Sequence, residues 1–307
     1  MRIVFMGTPE IAADVLRVVS KKHEVVGVFC QPDKPVGRKQ ILTPPPVKVA
    51  ALEAGLPVFQ PKGFRNGKAT QLLREIDPDL ILVIAYGRIL PQEVLDIPKY
   101  GCVNIHASLL PKYRGSAPVQ RALIDGVKVT GITVMKMDAG VDTGDVFARK
   151  EMPVSPSDDA QSMFERMGRE AGPFVLDVIE KIGSGEAVLF PQSDEDATYA
   201  PPIEKSEGLF SFRGDAEKIV NLVHGLSMWP VAFFLYEGKK IKVENASLSD
   251  QTGVPGEILS AKPMTVAAEN GSVILARVIP EGGKPMDGTA WMNGKRLRVG
   301  DVIKDGE

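Results

Sequence analysis

At 307 residues, with 44% hydrophobic and 25% charged side chains, the chain is long enough for two domains that each bury a core, and no stretch approaches the roughly 20 apolar residues that would span a bilayer. The balance of 37 Lys+Arg against 39 Asp+Glu, net −2, removes global basicity as an argument for a nucleic-acid partner, and residues 205–307 are equally neutral with 13 of each sign. Cys30 and Cys102 stand far apart without a CxxC partner, which argues against a disulfide framework or a thiolate zinc site and for two small buried apolar residues.

The N-terminus, MRIVFMGTPE, enters an apolar strand pattern at once, with no segment of signal-peptide character, so a cytoplasmic location is expected. Residues 2–6, 24–29 and 80–85 are short, nearly continuous apolar runs, as expected of strands buried on both faces of a parallel sheet. Helical spacing over 11–19, 47–54 and 71–76, the last stopped by Asp77-Pro78, alternates with them. Strands are expected at 101–106 and 130–137, and one long helix over 161–182. This alternation predicts an α/β fold, a Rossmann-like doubly wound, mostly parallel sheet. Met6-Gly-Thr-Pro9 follows the first strand but lacks the GxGxxG spacing of a dinucleotide loop.

From Gly183 the chain turns to turn formers, acidic residues and Pro201-Pro202, the composition of a linker. A short helix is expected over 216–226, then strand-like runs at 232–236, 240–246, 256–259, 265–268 and 272–278. Five such runs between Gly and Pro turns suggest a small OB-like β-barrel. The expected boundaries are 1–188, a linker over 189–206, and a barrel over 207–307.

The densest chemical constellation lies between Asn104 and Gly115. On a strand Asn104 and His106 share one face, because side chains alternate, and the strand's C-terminal end is where open α/β sheets place ligands. Some thirty residues later the segment 137–145 offers Asp138, Asp142 and Asp145 with Gly140 and Gly144 in a tight loop. Acyl transfer to an amine needs a donor for the developing oxyanion, a group to manage the proton, and a third group to orient that one; Asn, His and Asp supply these. From the residues alone a second reading stays open, in which His106 is a satisfied core histidine and Asn104 caps a turn. Histidines at 23, 106 and 224 form no ligand cluster, so no metal is expected.

The run Asn104-x-His106-x-Ser108-Leu-Leu-Pro111, followed by Tyr113-Arg-Gly115 and Ala117-Pro118, together with Asp138-x-Gly140-x-Asp142-Thr-Gly-Asp145, resembles the folate-dependent formyltransferases. The resemblance implies a catalytic set of Asn104, His106 and Asp142, and a folate site lined by Ser108, Leu109, Leu110 and Pro111. It implies 10-formyltetrahydrofolate as formyl donor, with 1–188 the folate-binding catalytic domain. Three features resemble the branch of the family that formylates methionyl-tRNA: the opening Phe5-Met-Gly-Thr-Pro-Glu10; the segment from Gln31 through Lys34, Arg38 and Lys39 to Lys48, like a loop used against an acceptor stem; and about a hundred further residues with Gly256-Glu-Ile258, Gly283-Lys-Pro-Met286 and Trp291-Met-Asn-Gly294.

On that resemblance the partners are methionyl-initiator-tRNA and folate, with Arg38, Lys39 and Lys34 as tRNA contacts and the barrel as a tRNA-binding domain. No membrane and no obligate protein partner is implied. Arg88, in Tyr86-Gly-Arg-Ile-Leu-Pro91, departs from the aliphatic residue usual beside the folate pocket, and its head is expected in solvent. The competing expectations are a formyltransferase acting on a small amine, a 10-formyltetrahydrofolate hydrolase in which water replaces the amine, and a non-catalytic RNA-binding module.

Overall fold

The computed structural model describes residues 1–37 and 39–304. They form two compact units that are not simple halves of the chain: 1–115, 130–152 and 164–199 make the first, and 116–129, 153–163 and 200 onward make the second.

The first unit opens with β1 (Arg2–Gly7), α1 (Glu10–Val19) and β2 (Glu24–Phe29). Ile3, Val4, Phe5 and Met6 are completely buried, so β1 is covered on both faces, and each such side chain contributes about 1.5–3 kcal/mol by leaving water. Gly7 allows the tight strand-to-helix turn, since a Cβ there would lie 2.6 Å from that of Ala12. A small antiparallel ribbon follows, β3 (Lys34–Val36) with β4 (Ile41–Thr43), then α2 (Pro46–Glu53), β5 (Val58–Phe59) and α3 (Lys68–Ile76). Helix α3 ends where Asp77 takes a left-handed conformation (φ 50°) ahead of Pro78, the stop that the Asp-Pro pair predicts.

Next come β6 (Leu80–Ile84), α4 (Gln92–Leu95), β7 (Cys102–His106) and β8 (Arg114–Gly115). Helix α5 (Pro118–Ile124) falls in the second unit. Then β9 (Val129–Lys136), β10 (Val146–Pro153), α6 (Ala160–Ser184) and β11 (Tyr199–Ala200) complete this stretch. The main sheet has the order β10-β9-β7-β6-β1-β2-β5. Strands β5, β2, β1, β6 and β7 are mutually parallel, and β9 runs antiparallel to β7. The chain therefore winds outward from β1 in both directions, and the order reverses between β1 and β6. That is the switch point at which such sheets open a crevice beyond their carboxyl ends.

The second unit is built around α7 (Ala216–Gly225), β12 (Phe233–Tyr236), β13 (Lys239–Ser249), β14 (Ile258–Ala261), β15 (Met264–Ala268), β16 (Gly271–Pro280), β17 (Met286–Asp287) and α8 (Gly288–Gly294). The antiparallel sheet runs β12-β13-β16-β15-β14, with β17 on β16. This antiparallel sheet is the C-terminal β domain expected after the linker. Its core is aromatic: Phe212 and Phe234 lie 5.1 Å apart, and Trp291 of α8 meets Phe234 edge-on at 5.8 Å. Both helices start on aspartate caps, Asp215 accepting from the Lys218 N–H and Asp287 from that of Ala290, each at 3.1 Å. No helix among the described residues is long and apolar enough to cross a membrane.

Candidate active site

Strand β7 delivers its polar residues at the carboxyl edge of the sheet. Pairing sets Asn104 beside Val83 of β6 on one side and Met135 of β9 on the other, and His106 beside Thr133. Ile105 is buried between them on the opposite face, and His106 itself is 5% exposed.

The loop after β9 brings the third group back. Asp142 Oδ2 lies 3.5 Å from His106 Nδ1, and its Oδ1 lies 3.5 Å from Asn104 Nδ2. Oδ2 also accepts a 2.9 Å hydrogen bond from the Gly115 N–H. The far nitrogen, His106 Nε2, sits 2.9 Å from the Tyr113 carbonyl, which can only accept, so Nε2 carries a proton in that contact. Tyr113 reaches this position in a left-handed conformation (φ 61°), as does Asp142 (φ 55°). Such conformations in residues with a side chain persist only where the surroundings hold them, and they gather at sites of chemistry. The two 3.5 Å contacts are longer than a tight hydrogen bond.

Ser108 and Leu110 are fully buried. The Ser108 hydroxyl donates to the Lys112 carbonyl at 2.6 Å, and its carbonyl accepts from Thr133 Oγ1, which in turn accepts from the Leu110 N–H. Arg149 Nε donates to the Leu110 carbonyl at 2.6 Å. Leu109 and Pro111 are half-buried, so this stretch is rigidly held and its two inner side chains are already committed.

At the switch point a crevice of about 440 Å³ is lined by Thr8, Gln31, Lys34, Tyr86 and Arg88 among others. That volume suits a small ligand or the end of a larger one. Its floor is cross-braced: the buried Gln31 amide donates to the carbonyls of Tyr86 and Gly87, and the Thr8 hydroxyl donates to that of Tyr86. Ala85 turns the chain there in a left-handed conformation (φ 46°), and burial pushes the Tyr86 phenol up to about 12. Arg88 is exposed on the rim, as expected for its head.

Of the three expected tRNA contacts, Lys34 and Lys39 are exposed on the β3–β4 ribbon, and Arg38 lies outside the described residues. Lys48, read with them as one cationic cluster, is engaged elsewhere. Its Nζ donates to both Asp33 oxygens at 2.9 and 2.8 Å and to Gln60 Oε1 at 2.9 Å, which closes the base of the ribbon. Lys48 and then Gln60 hold the Asp33 carboxyl below the usual carboxylate range. Cys30 and Cys102 are buried, which raises their thiols to about 11 and about 12. Among the described residues no group of three His, Cys, Asp or Glu side chains is placed to hold a metal ion.

Comparison with known proteins gives a consistent picture. Residues 1–179 match the family model described as formyl transferase, and residues 202–296 match that of the formyl transferase C-terminal domain. A methionyl-tRNA formyltransferase of Citrifermentans bemidjiense is 42% identical over 306 residues, covering 99% of this chain and 96% of its own length. One from Caldicellulosiruptor saccharolyticus is 42% identical over 312 residues, covering 99% and 100%. Among solved structures, a methionyl-tRNA formyltransferase from Clostridium thermocellum shares the fold with a TM-score of 0.60 at 19% identity, covering 94% of this chain and all of that one. An N-formyltransferase from Helicobacter canadensis, in complex with folinic acid and dTDP-3-aminofucose, reaches a TM-score of 0.70 at 17% identity, covering 89% and 98%.

Proposed function

The chain belongs to the formyl transferase family, and from that premise we propose how its residues move a formyl group from 10-formyltetrahydrofolate to the amine of methionine esterified to initiator tRNA. The observation that carries the reading is the meeting of Asn104, His106 and Asp142 within 3.5 Å at the carboxyl edge of the sheet, in a chain 42% identical over nearly its whole length to a methionyl-tRNA formyltransferase.

In the reaction the amine nitrogen bonds to the formyl carbon, the bond from that carbon to folate N10 breaks, and a proton passes from the amine to N10. The amide of Asn104 donates to the oxygen that gains charge as the formyl carbon becomes tetrahedral. The His106 imidazole, held between the Tyr113 carbonyl and the Asp142 carboxylate, manages the proton. Asp142 orients the ring through Nδ1 and keeps the amide of Asn104 turned toward it. The Ser108–Pro111 stretch faces the folate through its main chain and through Leu109 and Pro111, since Ser108 and Leu110 are closed inside.

The crevice at the switch point carries Lys34 and Arg88 on its rim, cationic groups that suit an anionic part of a bound ligand. Lys34, Arg38 and Lys39 of the ribbon grip the acceptor stem. Residues 1–188 carry the folate site and the chemistry, 189–206 connect, and 207–307 bind tRNA. The enzyme works in the cytoplasm, where initiation takes place.

The test is acceptor dependence: purified protein is incubated with 10-formyltetrahydrofolate, with and without methionyl-tRNA, and labelled formyl is followed. Label on the tRNA amine, with the donor stable in its absence, is the expected result. Free formate released at the same rate without tRNA would identify a hydrolase instead.

A further inference from the structure

The segment after α6 reads as a linker by composition, yet its residues 190–198 are fastened to the first unit at both ends. Phe190 exchanges two main-chain hydrogen bonds with Val146, at 2.8 and 2.9 Å. Thr198 accepts from the Arg114 N–H at 2.8 Å through its carbonyl, and from the Tyr113 N–H at 2.8 Å through its hydroxyl. Between these anchors stands Gln192. Its Nε2 donates to the carbonyls of Asp142 at 2.9 Å and Gly144 at 2.7 Å, while its Oε1 accepts from Arg114 Nε and Nη2 at 3.2 and 3.1 Å. The orientation of the amide is forced, because a guanidinium only donates and a carbonyl only accepts. Arg114 is 3% exposed, and its other partner, Asp194, is 86% exposed, so Gln192 is the inner of its two supports.

We propose that Gln192, held by Arg114, is a positioning residue that fixes the Asp142–Gly144 turn and with it the carboxylate facing His106. The inference rests on the reading of Asp142 as part of the reaction. Asp142 keeps a left-handed backbone, a conformation that costs energy for a residue with a side chain and is held here by its surroundings. The Gly115 N–H holds its carboxylate at Oδ2, and three further restraints converge on its turn. Inside the turn, Asp138 Oδ1 accepts from the Gly140 N–H and from Thr143 Oγ1. On one side the turn is pressed against β9: a Cβ on Gly144 would stand 1.8 Å from the Lys136 carbonyl oxygen. On the other, Gln192 ties both ends of the Asp142–Gly144 step, so releasing it frees the peptide that carries Asp142 while Asp138 and Gly144 stay in place. A shift of about 1 Å at the carboxylate is enough to lower turnover by orders of magnitude.

The test separates the two faces of the amide. Gln192→Ala removes both; Gln192→Glu keeps an acceptor, now charged, for Arg114 and turns a repelling oxygen toward the Asp142 and Gly144 carbonyls. Both variants are expected to lower kcat by about tenfold or more with little change in KM for methionyl-tRNA. Gln192→Glu should melt above Gln192→Ala because its pairing with Arg114 is kept. If Gln192→Glu restores wild-type kcat where Gln192→Ala does not, the residue only satisfies Arg114 and the inference falls. An Asp142→Ala control distinguishes the premise: if that variant keeps wild-type turnover, the reading of Asp142 fails, whatever Gln192 does.

Discussion

The carboxyl end of β7 and the β3–β4 ribbon both carry polar residues that matter to the proposed reaction, and they are built in opposite ways. Around β7 the groups are buried and each is held by others: His106 between a carbonyl and a carboxylate, Asp142 by Gly115 and Gln192. The ribbon presents Lys34, Val36, Lys39, Ile41 and Leu42 to solvent, with Ile41 and Leu42 more than 60% exposed, and its base is tied by Asp33, Lys48 and Gln60. Geometry prepared in advance suits a transition state, where small displacements are costly. Charge offered on a loosely held arm suits a polyanion, where the contact is made on arrival and salt weakens it.

The sharpest way to break this contrast is to remove a group from the buried set. Asn104→Ala and His106→Ala are each expected to lower kcat by at least about a hundredfold, the scale of lost oxyanion support or proton transfer. Folded variants with near-normal turnover in a formylation assay would end the assignment.

The arm should respond differently. Arg38→Ala is expected to raise KM for methionyl-tRNA by roughly tenfold, equivalent to one good contact, with folate binding unchanged and a shallower salt dependence. Identical tRNA kinetics across a salt series for variant and wild type would remove the arm from tRNA recognition.

The base of the arm should give a smaller effect that depends on pH. Because the folded Asp33 carboxyl is held below its ordinary 3.8, the clamp is fully formed above that value and is lost as pH falls through the lower folded one. Lys48→Met should therefore raise KM for tRNA by only about twofold to fivefold at neutral pH, within the range of one partly exposed ion pair. Native-state hydrogen-exchange protection of the ribbon, taken relative to the intrinsic rate at each pH, should fall in wild type on acidification below 3.8 and be lowered already at neutral pH in the variant. Exchange that is the same in both at neutral pH would show that Asp33 and Lys48 do not hold the ribbon. The smallest effect is expected from the thiols: with Cys30 and Cys102 buried and raised to about 11 and about 12, a thiol reagent at pH 8 should leave activity unchanged and label neither cysteine until the chain is unfolded. Rapid labelling of the native protein would contradict that burial.

The same contrast explains what the sequence made legible. Continuous apolar runs mark β1, β2, β6 and β7, since burial on both faces demands them, and period two places Asn104 and His106 together. Elements that mix charge with partial exposure stay hidden: β10 reads VFARKEMP, α5 is a seven-residue helix between Pro118 and Asp125, and α8 starts at Gly288 and depends on its Asp287 cap and on Trp291 in the core. In the site, the dense Asp-Gly loop offers Asp138, Asp142 and Asp145 together, and the family resemblance singles out Asp142. Gln192 is not, because a lone glutamine among turn formers carries no local signal, and its role depends on contacts with residues 48 to 78 positions away. The pairing of Lys48 with Asp33 is likewise invisible in the sequence, since the two stand fifteen residues apart and meet only in the fold.

The central claim is that Asn104, His106 and Asp142 act as one unit in formyl transfer to methionyl-tRNA. It is tested most directly by kcat for His106→Ala, Asp142→Ala and the double variant, measured at saturating donor and methionyl-tRNA. Residues that work as a unit lose function together, so the double variant is expected to fall no further than the worse single one, each at least about a hundredfold below wild type. Losses that multiply in the double variant, or a single variant that retains wild-type turnover, would contradict the account.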